Sequence, residues 1–433
     1  MNRKLLILLL LIVCQGTILK AQAKLTLDLA GARKYALEHN KTLQNSALAN
    51  EKAQWGVKEA IANGLPQVNA TMDYNNSLGA NLSIQFNPGA PPVEIPIKPQ
   101  SNLNLTLSQL VFNGNYILGV QTAKLYARMT EKNQRRSELE VVSQVTDAYY
   151  LVLMSKEMLN VLNQNVSNLE KLYQKIQAME QVGMIEKTEV DQLSVQLNTL
   201  RNAVKSSERQ NELATNMLRL MIGATVQTEI ELTETLQGFM EGAALEGALL
   251  KNFDLSGNID YQLLEQQELI SQKMVDMKKA AYLPTLAAFY RFTYKIIEPA
   301  FDMSPPNVVG FQLNIPIFSS GVRKAQLKQA ELDLKSMQNT RELLSDQLMV
   351  QEKQLRYNYT SALESWQNQK ENVEVARRVY SSLKLKYEQG VISGLDLINA
   401  DSNYLKAESD YLSSMMQVLS ARVQLEKLYG TIL

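Results

Sequence analysis

The sequence predicts a mainly α-helical chain with a small β part suited to a membrane, and three observations support this fold class. Two stretches without proline, 119–181 and 321–389, repeat apolar residues in alternating steps of four and three, which is the spacing of coiled coils. Four shorter stretches alternate apolar and polar residues, which is typical of strands with two different faces. The same plan occurs twice along the chain, so we expect two similar structural repeats.

The duplication rests on two anchors with one common offset. The segment 181–185 (QVGMI) recurs as 388–392 (EQGVI), and the segment 218–223 (LRLMIG) recurs as 425–430 (LEKLYG), each 207 residues later. We therefore divide the chain into a first repeat, 24–255, and a second repeat, 256–433. Each repeat is predicted to contain a helix, two strands, a very long helix, a tip turn and a return helix. The first repeat adds a less periodic mid-height segment, 223–255.

The first 23 residues have the pattern of a secretory signal peptide. A charged start precedes an apolar run, 5–13, and the sequence Ala-Gln-Ala at 21–23 suits a cleavage site. Its removal would also remove Cys14, so we expect an exported chain without disulfides. The alternative for Cys14 is a lipidation site.

Composition excludes several classes of function. The chain has 44 basic and 44 acidic residues, so it lacks the basic excess that would favour nucleic acid as a partner. A single His and a single Cys exclude zinc clusters and a disulfide framework. The sequence contains no nucleophile elbow and no glycine-rich phosphate loop. We predict no catalytic residues, no metal and no cofactor; the composition leaves carboxylate pairs open as an alternative.

The four alternating stretches are predicted strands at about 66–75, 102–112, 284–295 and 308–318. Proline-rich segments at 88–99 and 299–306 are predicted loops that join each pair. Strands of about ten residues with aromatics on the apolar face suit a transmembrane barrel; the alternative is a soluble sheet with one wet face. Because four strands cannot close a barrel, several chains would have to share one.

The helices are long enough to form a tunnel. The stretch 119–181 corresponds to about 95 Å of helix, and the return helix, 188–222, to about 52 Å. A further predicted helix, 41–63, adds about 35 Å, so two short helices placed end to end match one long helix. We expect a membrane barrel continued by a helical tunnel.

With these features the chain resembles the TolC family of trimeric outer-membrane efflux channels, over about residues 24–433. The resemblance is carried by the duplicated plan, by the opening LTLDLA at 25–30 and by the second turn, YEQGVISGLDLINA at 387–400. It implies a TolC-like α/β barrel, in which a homotrimer with four strands per chain forms one shared twelve-stranded barrel in outer-membrane lipid. It also implies a long coiled-coil tunnel in the periplasm of a Gram-negative bacterium. The implied partners are a periplasmic adaptor (membrane fusion protein) and an inner-membrane pump of the RND or ABC type.

The two tip turns, 181–187 and 388–394, are the first candidate site. Each has a glycine where a helix ends, which supplies the positive φ that helix ends favour. In the family that the chain resembles, these turns form the periplasmic end where the adaptor docks, and exposed apolar residues suit such a surface. The candidate docking residues are Gly183, Met184, Ile185, Gly390, Val391, Ile392 and Ser393.

The narrow periplasmic aperture of the tunnel is the second candidate site, and it rests on the resemblance. Asp396 stands where the family often has an acidic residue, and three copies about an axis would form an anionic ring. Asp396 also completes a capping box, which by itself explains an acid in a first helical turn. Glu189 holds the equivalent place in the first repeat, and Tyr387 matches a family tyrosine while also fitting the heptad core. Asn399 and Ile392 replace an Asp and an Arg of the best-known family constriction, so we expect a rearranged gate.

The resemblance implies a passive outer-membrane exit duct of a tripartite efflux or type I secretion system. Substrates would pass from an inner-membrane pump through the adaptor and this duct to the outside. The alternative function is a periplasmic coiled-coil scaffold or adaptor that does not enter a membrane. An adaptor would carry one helical hairpin between soluble β-domains, whereas this chain has a duplicated plan with paired strands. The sequence does not identify the transported substrate.

Overall fold

The computed structural model describes residues 24–85, 87–89, 91–241, 252–298 and 304–432. The predicted signal peptide with Cys14, and residues 242–251 of the mid-height segment, lie outside these ranges. In chain order the elements are β1 (Lys24–Leu27), α1 (Leu29–His39), α2 (Lys41–Ala62), β2 (Gln67–Asn75), β3 (Asn81–Ile84), β4 (Val93–Pro96), β5 (Gln100–Phe112), α3 (Gly114–Gln181), α4 (Lys187–Ile222), β6 (Glu229–Leu232), α5 (Leu236–Met240), a 3-10 turn (Leu255–Gly257), α6 (Ile259–Ala280), β7 (Thr285–Ile297), β8 (Asn307–Asn314), α7 (Val322–Glu388) and α8 (Gly394–Leu428).

Two very long helices dominate the secondary structure, as the heptad spacing predicts. Helices α3 and α7 have 68 and 67 residues, which corresponds to about 100 Å each. After short turns they are followed by the return helices α4 and α8, of 36 and 35 residues. Among the described residues, we find no helix that combines the length and the hydropathy needed to cross a membrane.

The chain folds as two compact units. The described residues within 47–134 and 259–346 form one of them, here called the strand unit. Those within 24–46, 135–258 and 347–432 form the other, here called the hairpin unit. Each unit takes segments from both sequence repeats, so the repeats interleave and do not form separate compact domains.

The strand unit holds a four-stranded antiparallel sheet in the order β2-β5-β7-β8. Directly opposed residues share a face of a sheet, and the register opposes Val68 to Leu107, Leu107 to Tyr290, and Tyr290 to Val309. One apolar face therefore runs across all four strands. Most of its side chains are exposed, namely Val68, Met72, Tyr74, Leu105, Leu107, Tyr290, Tyr294, Val309, Phe311 and Leu313.

The opposite face of this sheet is polar and hydrogen-bonded across strands. The carboxylate of Asp73 accepts hydrogen bonds from the amides of Asn102 and Asn104, at 3.1 and 2.9 Å. The hydroxyl of Thr293 donates to the side-chain oxygen of Asn104 at 2.8 Å. Arg291 lies on the same face, opposite Thr106. The alternating sequence pattern has thus produced one apolar and one hydrophilic surface.

Three details differ from the sequence-based expectations. The segment 88–99 was expected to be a loop, but Val93–Pro96 forms β4 and pairs with β3 in an antiparallel hairpin. The strand expected at 308–318 ends at Asn314, because Pro316 has no amide hydrogen to continue a ladder. The mid-height segment is not wholly irregular, since it contributes α5 and also β6, which pairs in parallel with β1.

The hairpin unit repeats one contact at equivalent places in the two halves of the chain. The side-chain amide of Asn40 donates to the carbonyl oxygen of Met221 at 2.6 Å, and that of Asn258 to the carbonyl of Leu428 at 3.0 Å. Carbonyl groups in the last turn of a helix have no partner within that helix, so each of these bonds satisfies one such carbonyl of a return helix. Met221 and Leu428 are separated by the same 207 residues as the sequence anchors.

The end of α4 lies against the start of α2, and this contact requires a glycine. Gly223 has a φ of 79° and caps α4. A Cβ atom at this position would lie 2.4 Å from the carbonyl oxygen of His39, a distance that no side chain can adopt without displacing the backbone. His39 is the last residue of α1.

Candidate functional site

Both hairpin turns are closed by glycines in a left-handed conformation. Gly183 has a φ of 77° and Gly390 a φ of 74°. The amides of Gly183 and Met184 donate to carbonyls in the last turn of α3 at 2.8 and 2.9 Å, and Gly390 and Val391 do the same on α7 at 2.9 Å each. This paired pattern is a Schellman motif, so the sharp end of each long helix is encoded by its glycine.

Asp396 takes part in a capping box at the start of α8. The hydroxyl of Ser393 accepts a hydrogen bond from the amide of Asp396 at 3.2 Å and lies 2.7 Å from its carboxylate. The amide of Ser393 donates back to that carboxylate at 3.3 Å. The structural role that the spacing predicts for Asp396 is therefore present, and its side chain remains exposed at the turn.

Glu189 and Tyr387 form a direct contact between the two hairpins. The hydroxyl of Tyr387, at the end of α7, donates to the carboxylate of Glu189, in the first turn of α4, at 3.4 Å. Gly394 allows this approach, because a Cβ atom there would lie 3.2 Å from the same carboxylate oxygen. Burial raises the pKa of Tyr387 to about 12, and the charge of Glu189 adds to this effect. The hydroxyl thus keeps its proton and acts as a donor.

The aperture candidates fall into two separate groups. Glu189 and Tyr387 bond to each other, whereas the carboxylate of Asp396 bonds to Ser393. Asn399 is exposed on α8, one helical turn after Asp396 and on the same side of that helix. The structure therefore links the first pair across the hairpins and places the second pair along one helix.

The exposed apolar residues at the turns are not the expected set. Met184 and Val391 are exposed as predicted, at 70% and 66%. Ile185 and Ile392 are only partly exposed, and Ile185 packs against the apolar core between the helices. Val182, which directly follows α3, is 71% exposed and is not among the predicted docking residues. The apolar tip surface is thus formed by Val182, Met184 and Val391, together with Leu395 on α8.

An apolar core behind the turns holds the hairpin helices together. Its buried members come from α3, α4 and α8, namely Leu162, Leu169, Leu172, Ile176, Val190, Leu193, Leu197, Leu200 and Leu397. Tyr387 packs against this core, so the donor of the contact to Glu189 has a fixed ring. The geometry of the turns follows from heptad packing together with the two glycine caps.

One buried carboxylate was missed in the sequence. Asp401 on α8 is only 2% exposed, and one of its oxygens accepts a hydrogen bond from Asn165 on α3 at 3.3 Å. Its other oxygen and the side-chain oxygen of Asn165 have no hydrogen-bond partner among the described residues. Burial raises the pKa of Asp401 to about 6, although Asn165 and Tyr380 on α7 favour the charged form. The sequence feature that agrees with its burial is the spacing: Asp401 stands four residues after the core residue Leu397, so both lie on the inner face of α8.

Comparison with known proteins places this architecture in one family. The family model described as outer membrane efflux protein matches residues 32–224 and 257–431. The chain is similar to the probable outer membrane lipoprotein SilC of Salmonella typhimurium, with 22% identity over 389 residues, or 84% of this chain and 77% of that protein. It is also similar to the solvent efflux pump outer membrane protein SrpC of Pseudomonas putida, with 22% identity over 70% of this chain and 64% of that protein.

Solved structures agree with this assignment at the level of the fold. The structure of CusC superimposes with a TM-score of 0.77 and 15% identity over 93% of this chain and 92% of that chain. The open state of the MtrE outer membrane channel of Neisseria gonorrhoeae gives a TM-score of 0.73 and 18% identity over 93% and 88% of the two chains. The fold is therefore TolC-like, as the family resemblance implies. Because the family model covers well over half of its residues, the chain belongs to the outer membrane efflux protein family.

Proposed function

We propose that the chain is the passive exit duct of a tripartite export system and that three copies share one β-barrel. The observation that carries this proposal is the four-stranded sheet. Its apolar face is exposed, and its opposite face carries Asp73, Asn102, Asn104 and Arg291. Strands that present apolar residues to lipid and polar residues to a lumen are typical of outer-membrane barrels.

The number of copies follows from the width that a duct needs. In the described chain, β2 and β8 are the edge strands of the sheet, so each has an edge that a second copy can pair with. Two copies would give about eight strands, and the interior of such a barrel is filled by side chains. Three copies give twelve strands and leave room for a lumen, in agreement with the family resemblance. Acidic and amide side chains such as Asp73 and Asn102 would then line the exit.

The hairpin turns would form the periplasmic gate. The hydrogen bond from Tyr387 to Glu189 joins the second hairpin to the first, so it stabilises one relative position of the two. Three copies of Asp396 about the axis would place negative charge at the entrance, and Asn399 one turn further would add polar groups. The proposed gate thus combines a hydrogen bond between the hairpins, from Tyr387 to Glu189, with a ring of negative charge.

The apolar tip surface would be the docking site of a periplasmic adaptor. Met184 and Val391 are exposed beside Gly183 and Gly390, and apolar groups at a rigid tip suit a protein partner. Ile185, Ile392 and Ser393 would support this surface from behind. The energy for transport would come from an inner-membrane pump of the RND or ABC type.

Conductance in a planar lipid bilayer tests this function. We expect the purified protein to form cation-selective channels, because the ring of Asp396 attracts cations. Asp396→Asn should reduce the preference for cations, whereas Asp410→Asn, at a half-buried site on the same helix, should not. A detergent-extracted protein that gives no channels, or channels whose selectivity is the same in Asp396→Asn, would contradict the proposal.

A further inference from the structure

A cavity of about 400 Å³ lies within the hairpin unit, away from the two turns. Its walls come from α3, α7 and α8 and from the short helix α5 with its cap. We propose that this cavity binds an organic cation with an apolar or aromatic body. Binding at this cavity would not depend on the transport function.

The charges around the cavity favour a cation. Three carboxylates line it, from Glu157, Glu374 and Glu408, together with one guanidinium, from Arg377. Arg377 is bound to Glu374 at 2.9 Å. Glu157 accepts a hydrogen bond from Asn160 at 3.3 Å, but among the described residues no Lys or Arg forms an ion pair with it or with Glu408. Two negative charges therefore face one cavity without a bonded counter-ion.

The two carboxylates also repel each other through the cavity. Burial raises the pKa of Glu408, and the negative charge of Glu157 raises it further. The hydroxyl of Tyr404 and the charge of Arg377 act in the opposite direction. A bound cation would lie close to Glu157 and Glu408 and would remove this repulsion, since opposite charges in a partly buried site attract strongly.

Aromatic and apolar walls select the class of cation. Tyr404 and Tyr411 line the cavity together with Leu412 and Met415. The ring of Tyr404 stacks on Tyr380 with centroids 5.7 Å apart, which holds it in place. Aromatic faces attract ammonium groups that are weakly hydrated, and the apolar walls suit a hydrocarbon body.

A metal ion is a poorer occupant of this cavity. Hard divalent ions need several oxygen ligands at 2–2.6 Å, and within the described part of the chain there is no group of three or more His, Cys, Asp or Glu placed to hold a metal. The volume also lies in the range of small-molecule sites, which is about 300–1,000 Å³. An amine or quaternary ammonium compound fits both the volume and the charge.

Titration calorimetry on the purified full chain in detergent tests this proposal. Benzyltrimethylammonium is the probe, and we expect a dissociation constant on the order of 1 mM or below, as for other ligands of this size. Choline should bind more weakly, because it lacks the aromatic body. Its neutral analogue 3,3-dimethylbutan-1-ol has nearly the same shape, and we expect it not to bind.

Variants locate the binding site. Glu408→Gln should weaken the binding of benzyltrimethylammonium by about tenfold, and Tyr404→Leu should weaken it similarly, since the ring is lost. Glu212→Gln, at an exposed site on α4, is the control and should bind as the wild type does. An unchanged circular dichroism spectrum and elution volume would show that each variant is folded. Equal binding of choline and its neutral analogue, unchanged binding by Glu408→Gln, or no binding of benzyltrimethylammonium to the wild type would overturn the proposal.

Discussion

Replacing Asp401 with asparagine should stabilise the chain at neutral pH and have a much smaller effect near pH 4. The carboxyl group is buried between α3, α7 and α8, and one of its oxygens has no hydrogen-bond partner in the part of the chain that the structure describes. When it ionises, no cation among those residues forms an ion pair with it; Lys384 on α7 attracts the charge and Glu408 on α8 repels it. An amide of the same shape carries no charge, and its NH₂ group could donate to the unpaired oxygen of Asn165.

The magnitude follows from the shifted pKa. The pKa of Asp401 rises from 3.8 to about 6 on folding, so between these values the folded state binds more protons than the unfolded state. The contribution of Asp401 to the free energy of unfolding therefore falls as the pH rises through this window and is constant above it. The difference between these two pKa values corresponds to ~3 kcal/mol. The Asn variant avoids this loss, so its advantage should grow from ~0.5 kcal/mol near pH 4 to at most ~3 kcal/mol at pH 7 and above.

Denaturant unfolding at several pH values between 4 and 8 measures this difference. Other titrating groups contribute equally to both proteins, so they cancel in the comparison of Asp401→Asn with the wild type. Asp410→Asn is the matched control, because Asp410 is a solvent-accessible carboxylate on the same helix and is paired with Lys406 at 2.9 Å. It should show no gain that depends on pH. An Asp401→Asn variant that is less stable than the wild type at pH 7, or whose difference does not change with pH, would refute this reasoning.

Three further predictions concern the turns and caps. Gly223→Ala should destabilise the fold by more than ~2 kcal/mol. Gly183→Ala should cost about 1 kcal/mol, because Gly183 has a similar φ but no atom near its Cβ position. Thermal unfolding compares the two variants, and equal losses of stability would contradict the role of the contact with His39. Ser393→Ala should cost about 1 kcal/mol and speed amide exchange in the first turn of α8; unchanged exchange would contradict the capping box. Tyr387→Phe removes the hydroxyl that bonds to Glu189, so it should lower the ratio of closed to open channels by about fivefold, or ~1 kcal/mol. Bilayer recordings with no increase in open time would contradict this role of the hydrogen bond.

Much of the architecture could be predicted because it depends on periodic patterns. Steps of four and three residues predict α3 and α7, and period-two alternation predicts the faces of β2, β5, β7 and β8. Prediction failed where the pattern is short: β4 has only four residues and lies within the proline-rich segment 88–99, and the four residues of β3 are too few to show an alternation. It also failed at the end of β8, where the apolar alternation continues past Asn314 although Pro316 cannot extend the ladder.

The candidate site could be predicted only in part. The glycine caps at Gly183 and Gly390 and the capping box at Ser393 are local signals, which a sequence shows directly. The contact of Tyr387 with Glu189 joins residues 198 positions apart, so no local pattern indicates it. The burial of Asp401 depends on the packing of three helices, and a polar residue beside heptad positions does not show whether it faces the core or the solvent.

The mass of the protein extracted from the membrane fraction, with the bound detergent subtracted, tests the central claim most directly. We expect a particle of three chains that requires detergent, because the four-stranded sheet of one chain cannot close a barrel and three copies give twelve strands. Light scattering combined with refractive index and absorbance detection separates the mass of the protein from that of the detergent. A monomer or dimer that stays soluble without detergent would contradict the shared barrel and would favour a periplasmic scaffold instead.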